Sequence, residues 1–332
     1  MCLEALLDRG DACRRNKDFA QAVDLYLQAA DQAPDHPRVL LGLADAYRGA
    51  RDPLKARDAL LRYLELRPED PGALGRLADM FKRLGDRRQA EVHYRRALGL
   101  DPGDRYALMG LGDLYHKMER PQDALDCLEA LLAAHPDHVP ALTLAGTIQR
   151  KRHVFDQAAR CFRRAMDLAP GNPYAAYGLA DSLRGMGRYE EAAPCWERVL
   201  QSDPANHQAM TRAGDCFLRL GRLERAEQLF HAALDQRFDR AALTGLARLH
   251  RQRGAPEAAA RCLEAILVQL PADAPATLQL AEILAETRGA AVARDYLLAR
   301  RAAHPELGEL DATLARLGAP GLDPPASPAQ AG

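Results

Sequence analysis

The sequence predicts an all-α protein: an α-solenoid, a superhelix of nine antiparallel helical hairpins that ends in a C-terminal capping helix. Three observations carry this prediction. Proline returns every 34 residues, alanine occupies one fixed position of every repeat, and the apolar positions of each repeat follow one helix face twice, with a Gly/Asp-rich turn between. The sequence has no run of alternating apolar and polar residues that would predict a β-strand.

The prolines set the frame of the repeat. They occur at Pro34, Pro68, Pro102, Pro136, Pro170 and Pro204 and, after Phe238 in the place of one proline, at Pro271 and Pro305. Counting back from each proline gives repeats 1 to 9, with one residue missing near 238: 3–36, 37–70, 71–104, 105–138, 139–172, 173–206, 207–239, 240–273 and 274–307. Because proline cannot continue a helix, we expect it to follow the second helix of each hairpin.

Three positions of the repeat predict how its helices pack. Position 8 is always glycine or alanine. Position 20 is alanine in all nine repeats: Ala22, Ala56, Ala90, Ala124, Ala158, Ala192, Ala226, Ala259 and Ala293. Position 24 is always large and apolar or aromatic: Tyr26, Leu60, Tyr94, Leu128, Phe162, Trp196, Phe230, Leu263 and Leu297. Small residues at positions 8 and 20 allow the helices of a hairpin to approach closely, and the bulky residue at position 24 fills the space beside them.

This pattern resembles the tetratricopeptide repeat, which has a 34-residue period and small, aromatic and proline positions at fixed spacing. Repeat 4 shows the resemblance in Leu111, Gly112, Tyr115, Ala124, Leu128 and Pro136. The resemblance covers residues 3–307, and it departs from the family in the lack of tryptophan at position 4, in Gln149 where an aromatic is expected, and in Phe238. It implies that the first helix of each hairpin lines an inner, concave wall.

The two ends of the array differ from its middle. Arg9 stands at position 7, where the other repeats have leucine or alanine, as expected of a first helix with no predecessor to pack against. After repeat 9, an apolar stripe of Leu307, Leu310, Leu314 and Leu317 predicts a capping helix over 308–317. The Pro/Gly/Ala-rich segment 318–332 is predicted to be disordered.

Composition limits the possible functions. Lys and Arg number 45 and Asp and Glu 46, a net charge of −1 that removes the electrostatic case for general binding to nucleic acid or anionic membranes. No run of 18 apolar residues occurs, and the first ten residues lack the apolar core of a signal peptide, so we expect a cytoplasmic protein.

Motifs for catalysis or metal binding are missing from the sequence. It has no nucleophile elbow, phosphate-binding loop or dinucleotide fingerprint, and His135 and His138 in one turn do not make a metal-ligand cluster. We therefore predict no enzymatic activity, no cofactor and no metal.

The predicted peptide groove lies on the first helices of repeats 4 to 6. Positions 2 and 5 of these helices should point into the groove, and in repeats 4 and 6 they carry tyrosine and methionine, which make good contact residues. Packing across to the next first helix is an equally open interpretation. The groove is predicted to comprise Tyr106, Met109, Asp113, His116, Lys117, Thr143, Thr147, Arg150, Lys151, Tyr174, Tyr177, Asp181 and Arg184.

Two charged stripes run along the first helices. Position 9 is aspartate in six repeats and position 12 is basic in seven. In one interpretation the aspartate only pairs with the base three residues on and the base favours the helix C-terminus. In the other, the stripe recognises an acidic ligand at repeat 5, where Thr147 replaces aspartate and leaves Arg150 and Lys151 without a same-helix carboxylate three or four residues before them.

Two known grooves of the family do not transfer. The carboxylate clamp requires lysine at position 5, and the asparagine ladder of O-GlcNAc transferase requires asparagine at positions 6 and 9; no repeat has either. We expect a scaffold that binds a peptide segment of a partner protein, with an acidic segment favoured. The alternatives are a helper subunit of a separately encoded enzyme, such as a glycosyltransferase, and, less favoured, a helical-repeat RNA binder.

We expect all seven cysteines to remain thiols. Cys127, Cys161, Cys195 and Cys262 share position 23, but packed helices lie roughly 8–10 Å apart, whereas a disulfide requires Cα atoms within about 7 Å. Thiol titration of the denatured protein, purified without oxidant, should count all seven. A lower count would contradict the repeat stacking.

Overall fold

The computed structural model describes residues 2–318 and shows nineteen α-helices and no β-strand in that range. The helices are α1 (Leu3–Arg15), α2 (Phe19–Gln32), α3 (Pro37–Gly49), α4 (Pro53–Leu66), α5 (Pro71–Arg83), α6 (Arg87–Leu100), α7 (Arg105–Lys117), α8 (Pro121–Ala134), α9 (Val139–Lys151), α10 (Phe155–Leu168), α11 (Pro173–Gly185), α12 (Tyr189–Ser202), α13 (His207–Arg219), α14 (Leu223–Gln236), α15 (Arg240–Gln252), α16 (Pro256–Gln269), α17 (Ala274–Arg288), α18 (Ala290–Ala303) and α19 (Leu310–Gly318). The predicted all-α class is confirmed.

The chain divides into two compact units, an N-terminal unit (Met1–Gly178) and a C-terminal unit (Leu179–Gly332). In the N-terminal unit each second helix packs on the first helix of its own hairpin and on that of the next, as α2 packs on α1 and α3. Neighbouring first helices also touch, as α5 and α7 do. The C-terminal unit repeats this arrangement from α12 onward.

Local sequence signals fix where the helices begin and end. Asp18, Asp52 and Asp86 cap second helices, because each carboxylate accepts a hydrogen bond from the backbone N–H three residues on, at 3.0–3.1 Å. The second helices end two residues before the repeat prolines, as α4 ends at Leu66 before Pro68. Between α5 and α6 the chain turns through Gly85, whose φ of +84° favours a residue without a Cβ.

The three packing positions form the core of each hairpin. All nine alanines at position 20 are fully buried at 0% exposure, and all nine large residues at position 24 are at most 2% exposed. The core therefore depends on a small residue meeting a large one in every repeat, as the sequence predicts.

The packing between hairpins alternates, which the sequence analysis did not find. In repeats 1, 3, 5 and 7 the position-24 residue is aromatic, and its ring lies against a glycine at position 6 of the next repeat. The four ring and glycine pairs are Tyr26 with Gly42, Tyr94 with Gly110, Phe162 with Gly178, and Phe230 with Gly245. After repeats 2, 4, 6 and 8, position 6 holds a larger side chain: Arg76, Leu144, Arg212 and Gln279. The packing thus repeats every two hairpins.

The capping helix closes the C-terminal unit. Leu307 and Leu310 are buried, and Leu314 and Leu317 pack against the same cluster, which includes Leu297 of α18. This helix, α19, begins at Leu310 and contacts α17 and α18. Apart from Gly318, the segment predicted to be disordered lies outside the described residues.

Two further features bear on the predictions from sequence. No disulfide joins any of the seven cysteines, all of which fall within residues 2–318. Over the same range, no helix combines the length and the apolar character that crossing a membrane requires.

We expect Gly245→Ala to destabilise the protein. The new methyl group would overlap with the ring of Phe230, which is buried and cannot move aside, and overpacking of this kind costs about 1–3 kcal/mol. Gly75→Ala is the matched control, because its methyl group would meet open space and should add up to about 1 kcal/mol of helix stability. Urea unfolding followed by circular dichroism measures both.

The same experiment identifies the ring as the cause. Combining Gly245→Ala with Phe230→Leu reproduces the leucine found at position 24 of repeats 2, 4 and 8, and the two changes should then compensate each other in a double-mutant cycle. Equal stabilities for Gly245→Ala and Gly75→Ala would rule out the role given to the ring.

Candidate functional site

The two charged stripes form a ladder of ion pairs. Aspartate at position 9 pairs with the base three residues on, as in Asp11–Arg14 at 3.0 Å and Asp45–Arg48 at 3.1 Å. The base also reaches the aspartate of the following repeat, since Arg14 lies 2.6 Å from Asp45. The pairing proposed from sequence is therefore present, and it extends between repeats.

The aspartates of repeats 2 and 6 are the most enclosed rungs of this ladder. Asp45 is buried and forms ion pairs with Arg14, Arg48 and Arg76. Arg76 occupies position 6 of the next repeat and lies 3.1 Å from the carboxylate. In the C-terminal unit, Asp181 is 3% exposed. Arg184 lies 2.9 Å from its carboxylate, and Arg212, again from position 6 of the next repeat, lies 2.5 Å away.

The pKa values follow from these neighbours. Burial alone would raise the pKa of Asp181, but the guanidinium groups of Arg212 and Arg184 outweigh it and hold the pKa below its ordinary value. Asp113 behaves in the same way, because Lys117 and Lys82 outweigh its partial burial and lower its pKa. Both aspartates therefore carry their charge at neutral pH.

Tyrosine hydroxyls tie the stripes to the hairpin core. Tyr26 donates a hydrogen bond to Asp11 at 2.6 Å, and Tyr94 donates one to Asp79 at 2.5 Å. Burial and the neighbouring carboxylate together raise the pKa of both tyrosines far above the ordinary value. The two tyrosine rings that lie against glycines of the next repeat thus also orient aspartates of the acidic stripe.

The tyrosine and methionine side chains predicted to face the groove differ in their exposure. Tyr106 and Tyr174, at position 2, are 71% and 76% exposed. Met109 and Tyr177, at position 5, are only partly exposed. Arg105 orients the side chain of Tyr106. The Tyr106 hydroxyl accepts a hydrogen bond from Arg105 at 2.8 Å, and the guanidinium lies 4.7 Å from the ring centre.

The polar residues predicted for the groove are mostly engaged within the protein. Thr143 and Thr147 donate their hydroxyl protons to backbone carbonyls one turn earlier, at 2.9 and 2.8 Å. Asp113 is paired with Lys117 at 2.9 Å. Arg150 is partly buried and interacts with another group of the protein. These contacts leave Lys151 as the most exposed of the basic residues predicted for repeat 5.

His116 adds little positive charge at neutral pH. Partial burial and the nearby charge of Lys151 lower its pKa below the ordinary value of 6.5. At neutral pH the imidazole therefore contributes little to the attraction of an acidic ligand.

One cavity of the N-terminal unit brings some of the predicted residues together. The glycine cavity, of about 740 Å³, is lined by Tyr106, Met109 and Asp113 and by residues that the sequence analysis missed. Its further lining is Arg48, Gly72, Gly75, Arg76, Asp79, Lys82, Tyr94, Asp104, Arg105, Gly110, His138 and Pro140. The residues predicted on α9 and α11, from Thr143 to Tyr177, do not line it.

Two glycines on α5 leave its surface bare within this cavity. Gly72 and Gly75 occupy positions 2 and 5, where repeat 4 has Tyr106 and Met109. A methyl group at Gly75 would have no atom within 4 Å, so space beside the helix backbone is open. The signal was present in the sequence, because glycine in the middle of a helix weakens it and suggests a packing or binding purpose.

A second cavity lies in the C-terminal unit, where the repeat loses one residue. The arginine cavity, of about 820 Å³, has five arginines in its lining, and the sequence analysis had singled out only Arg184. Its lining is Arg184, His207, Gln208, Thr211, Arg212, Asp215, Phe230, Arg237, Phe238, Asp239, Arg240, Ala241, Thr244, Gly245 and Arg248. Phe238, in the place of the repeat proline, is 43% exposed there.

Comparison with known protein families identifies the repeat. Two family models, both described as tetratricopeptide repeat, match the chain, one at residues 14–79 and 82–146 and the other at residues 177–242. Comparison with curated proteins found no match.

Solved structures of similar fold include tetratricopeptide repeat proteins. A tetratricopeptide repeat protein from Parabacteroides merdae ATCC 43184 is 17% identical, with a TM-score of 0.52 over 75% of this chain and 98% of its own. PilF of Pseudomonas aeruginosa is 18% identical, with a TM-score of 0.52 over 70% and 99%. YrrB, described as a TPR protein with an unusual peptide-binding site, is 24% identical, with a TM-score of 0.51 over 54% and 93%. These likenesses show the fold.

We expect Asp181→Asn to destabilise the protein at neutral pH. Removing one partner of a buried ion pair costs about 3–5 kcal/mol, and Arg184 and Arg212 would both lose the charge of Asp181, which leaves Arg184 the more distant Asp215 at 3.5 Å. Because the pKa of Asp181 is lowered on folding, its contribution is present above about pH 4 and is lost as the pH falls through the folded-state pKa.

Urea midpoints measured between neutral and acid pH test this expectation. The difference between wild type and Asp181→Asn should be largest at neutral pH and should shrink at acid pH. Asp24→Asn, at an exposed position of α2, is the control and should leave the midpoint nearly unchanged. A constant difference at all pH values would show that the charge of Asp181 is not what stabilises the fold.

Proposed function

Because the chain belongs to the tetratricopeptide repeat family, we propose that it is a scaffold that holds a peptide segment of a partner protein, with the glycine cavity as a principal contact. The observation that carries this proposal is the bare surface of α5 at Gly72 and Gly75 beside the exposed ring of Tyr106. A peptide ligand accords with the description of YrrB as a tetratricopeptide repeat protein with a peptide-binding site.

The shape of the cavity suits a bulky side chain of the partner. Its volume of about 740 Å³ falls within the range of pockets that hold small ligands. The floor is helix backbone and the wall is Tyr106 and Met109, so an apolar or aromatic side chain can pack there and lose its contact with water. Tyr106 is already oriented by Arg105, which lowers the entropy lost on binding.

The charges around the cavity nearly cancel, since Arg48, Arg76, Lys82 and Arg105 stand beside Asp79, Asp104 and Asp113 in the lining. The ring of Tyr106 and the bare surface of α5 therefore contribute more to recognition than net charge does. An acidic segment remains part of the proposal only farther along, where Lys151 is exposed and Tyr174 offers a second aromatic contact.

The ion-pair ladder argues against RNA as the ligand. A phosphate backbone binds through arginine and lysine side chains whose charge is not already neutralised. Here Arg14, Arg48 and Arg184 each lie within about 3 Å of an aspartate of the protein. An RNA would have to displace these carboxylates.

We expect Gly75→Leu to abolish capture of the partner. The new side chain would extend into the cavity from a Cβ that has no atom within 4 Å. Gly99→Leu is the matched control, because Gly99 is also a helical glycine with open space beside it but lies on α6, outside the lining. Both substitutions remove a helical glycine, so both should preserve or raise stability.

The partner is first captured from native lysate with the wild-type protein and identified by mass spectrometry. Its binding constant is then measured with each variant. Gly75→Leu should reduce affinity at least tenfold and Gly99→Leu should not change it. Equal affinity for the two variants would place the binding site elsewhere.

We expect Tyr106→Ala to weaken the same complex at least tenfold. An aromatic residue at the centre of an interface costs about 2 kcal/mol or more when truncated. Because Tyr106 is 71% exposed, the unfolding midpoint should stay near that of wild type. Tyr174→Ala, measured in the same assay, determines whether the bound segment reaches α11. Unchanged affinity for Tyr106→Ala would exclude its ring from the interface.

A further inference from the structure

The arginine cavity lies where the repeat departs from its period. Repeat 7 is one residue short, and Arg237, Phe238 and Asp239 connect α14 directly to α15. Arg237 follows α14 in an extended conformation, with φ of −170° and ψ of 166°. The short connection thereby places the side chains of Arg237 and Phe238 in the lining of the cavity.

Three of the five arginines of the cavity are held by carboxylates of the C-terminal unit. Arg184 and Arg212 both lie against Asp181, at 2.9 and 2.5 Å. Arg240 forms a bidentate ion pair with Asp273, which lies behind the cavity wall. These three guanidinium groups have a structural partner, and their charges are largely compensated.

Arg237 lacks such compensation. Among residues 2–318 its polar contact is the imidazole of His207, whose Nδ1 lies 3.1 Å from the guanidinium. That nitrogen can accept a hydrogen bond only when it carries no proton, so the ring proton resides on Nε2, which is 3.0 Å from Asp239. A neutral imidazole orients the guanidinium but does not cancel its charge.

Asp239 is itself fully occupied. Its carboxylate accepts hydrogen bonds from the backbone N–H groups of Ala241 and Ala242, at 2.7 and 3.0 Å, and from the hydroxyl of Thr211 at 2.8 Å. It therefore serves as the N-cap of α15, and the start of this helix offers no vacant donors at those two positions.

Arg248 is the second arginine with a weak partner. Its nearest carboxylate, Asp215, is 3.7 Å away, and Asp215 also faces Arg184 at 3.5 Å. Arg248 is about half exposed, so its donors can reach a ligand in the cavity. The five arginines are matched by four nearby carboxylates, those of Asp181, Asp215, Asp239 and Asp273, so an excess of one positive charge remains, carried mainly by Arg237 and Arg248.

We propose that the arginine cavity binds the carboxylate groups of an acidic peptide segment, with Arg237 and Arg248 as the donors and the exposed ring of Phe238 as an apolar contact. Guanidinium groups match carboxylates geometrically, as Arg240 and Asp273 do within the same wall. The inference rests on the proposed function only in taking the ligand to be a peptide, and it concerns a site that does not involve the glycine cavity.

Synthetic probes test this site without knowledge of the partner. The first probe is a fluorescein-labelled peptide in which several glutamates flank one leucine, and the second has glutamines in place of the glutamates. A single-stranded oligonucleotide with the same label is the third. Fluorescence anisotropy at two salt concentrations measures the binding of each probe to the full chain. We expect the glutamate peptide to bind at least tenfold more tightly than the glutamine peptide and than the oligonucleotide.

The variants identify the residues. Combining Arg237→Gln with Arg248→Gln should weaken binding of the glutamate peptide at least tenfold, and Arg237→Gln alone, in an exposed connection, should account for part of the loss. Arg261→Gln is the matched control, an exposed arginine on α16 outside the lining. It removes the same single charge as Arg237→Gln from the same unit and should leave binding unchanged.

Each contrary outcome overturns the proposal in a different way. Equal binding of the glutamate and glutamine peptides means that the cavity does not recognise carboxylates. Preferential binding of the oligonucleotide assigns the arginines to phosphates. Equal losses in Arg261→Gln and Arg237→Gln, which remove the same charge, reduce the effect to net charge. Gly75→Leu, which tests the glycine cavity, should leave the peptide bound, so the two proposals can fail separately.

Discussion

The close approach of each second helix to the first helix of the next hairpin governs the arrangement of this protein. At alternate junctions a buried aromatic ring lies on bare helix backbone, as Phe162 lies on Gly178. A ring can take that place only where the neighbouring helix has no Cβ. This contact sets the distance between neighbouring hairpins, and the polar contacts between them follow from it. Arg14 can reach Asp45 because the first helices to which they belong lie side by side.

The ion-pair ladder then decides which surfaces are available for binding. Many charged side chains that the sequence pattern places on the helix surface form ion pairs within the array. Asp45, for example, pairs with three arginines. Both proposed sites for ligand recognition lie where the ladder or the side-chain layer is incomplete. One such place is the pair of glycines on α5, and the other is the short connection that carries Arg237.

The sequence was sufficient to predict the fold because the features that determine it recur at fixed positions. Alanine at position 20 and a large residue at position 24 are one-dimensional signals, and every one of these residues is buried as expected. The candidate site was harder to predict. Asp181 was assigned to the groove but is buried. Its burial could not be predicted, because nothing in the repeat itself indicates that Arg212 reaches back to it. The cluster of arginines was missed because its members come from different repeats.

The alternation of junctions implies that the array can change its length only in certain steps. The rings of Tyr26, Tyr94, Phe162 and Phe230 are each followed by a repeat with glycine at position 6. The position-24 residues of repeats 2, 4, 6 and 8, which are three leucines and Trp196, are each followed by a repeat with a larger residue there. Removing repeat 4 alone would bring Tyr94 against Leu144, whereas removing repeats 4 and 5 together would bring Tyr94 against Gly178. The unit by which the array can lengthen or shorten is therefore a pair of hairpins. Insertions or deletions that preserve the packing should add or remove an even number of hairpins.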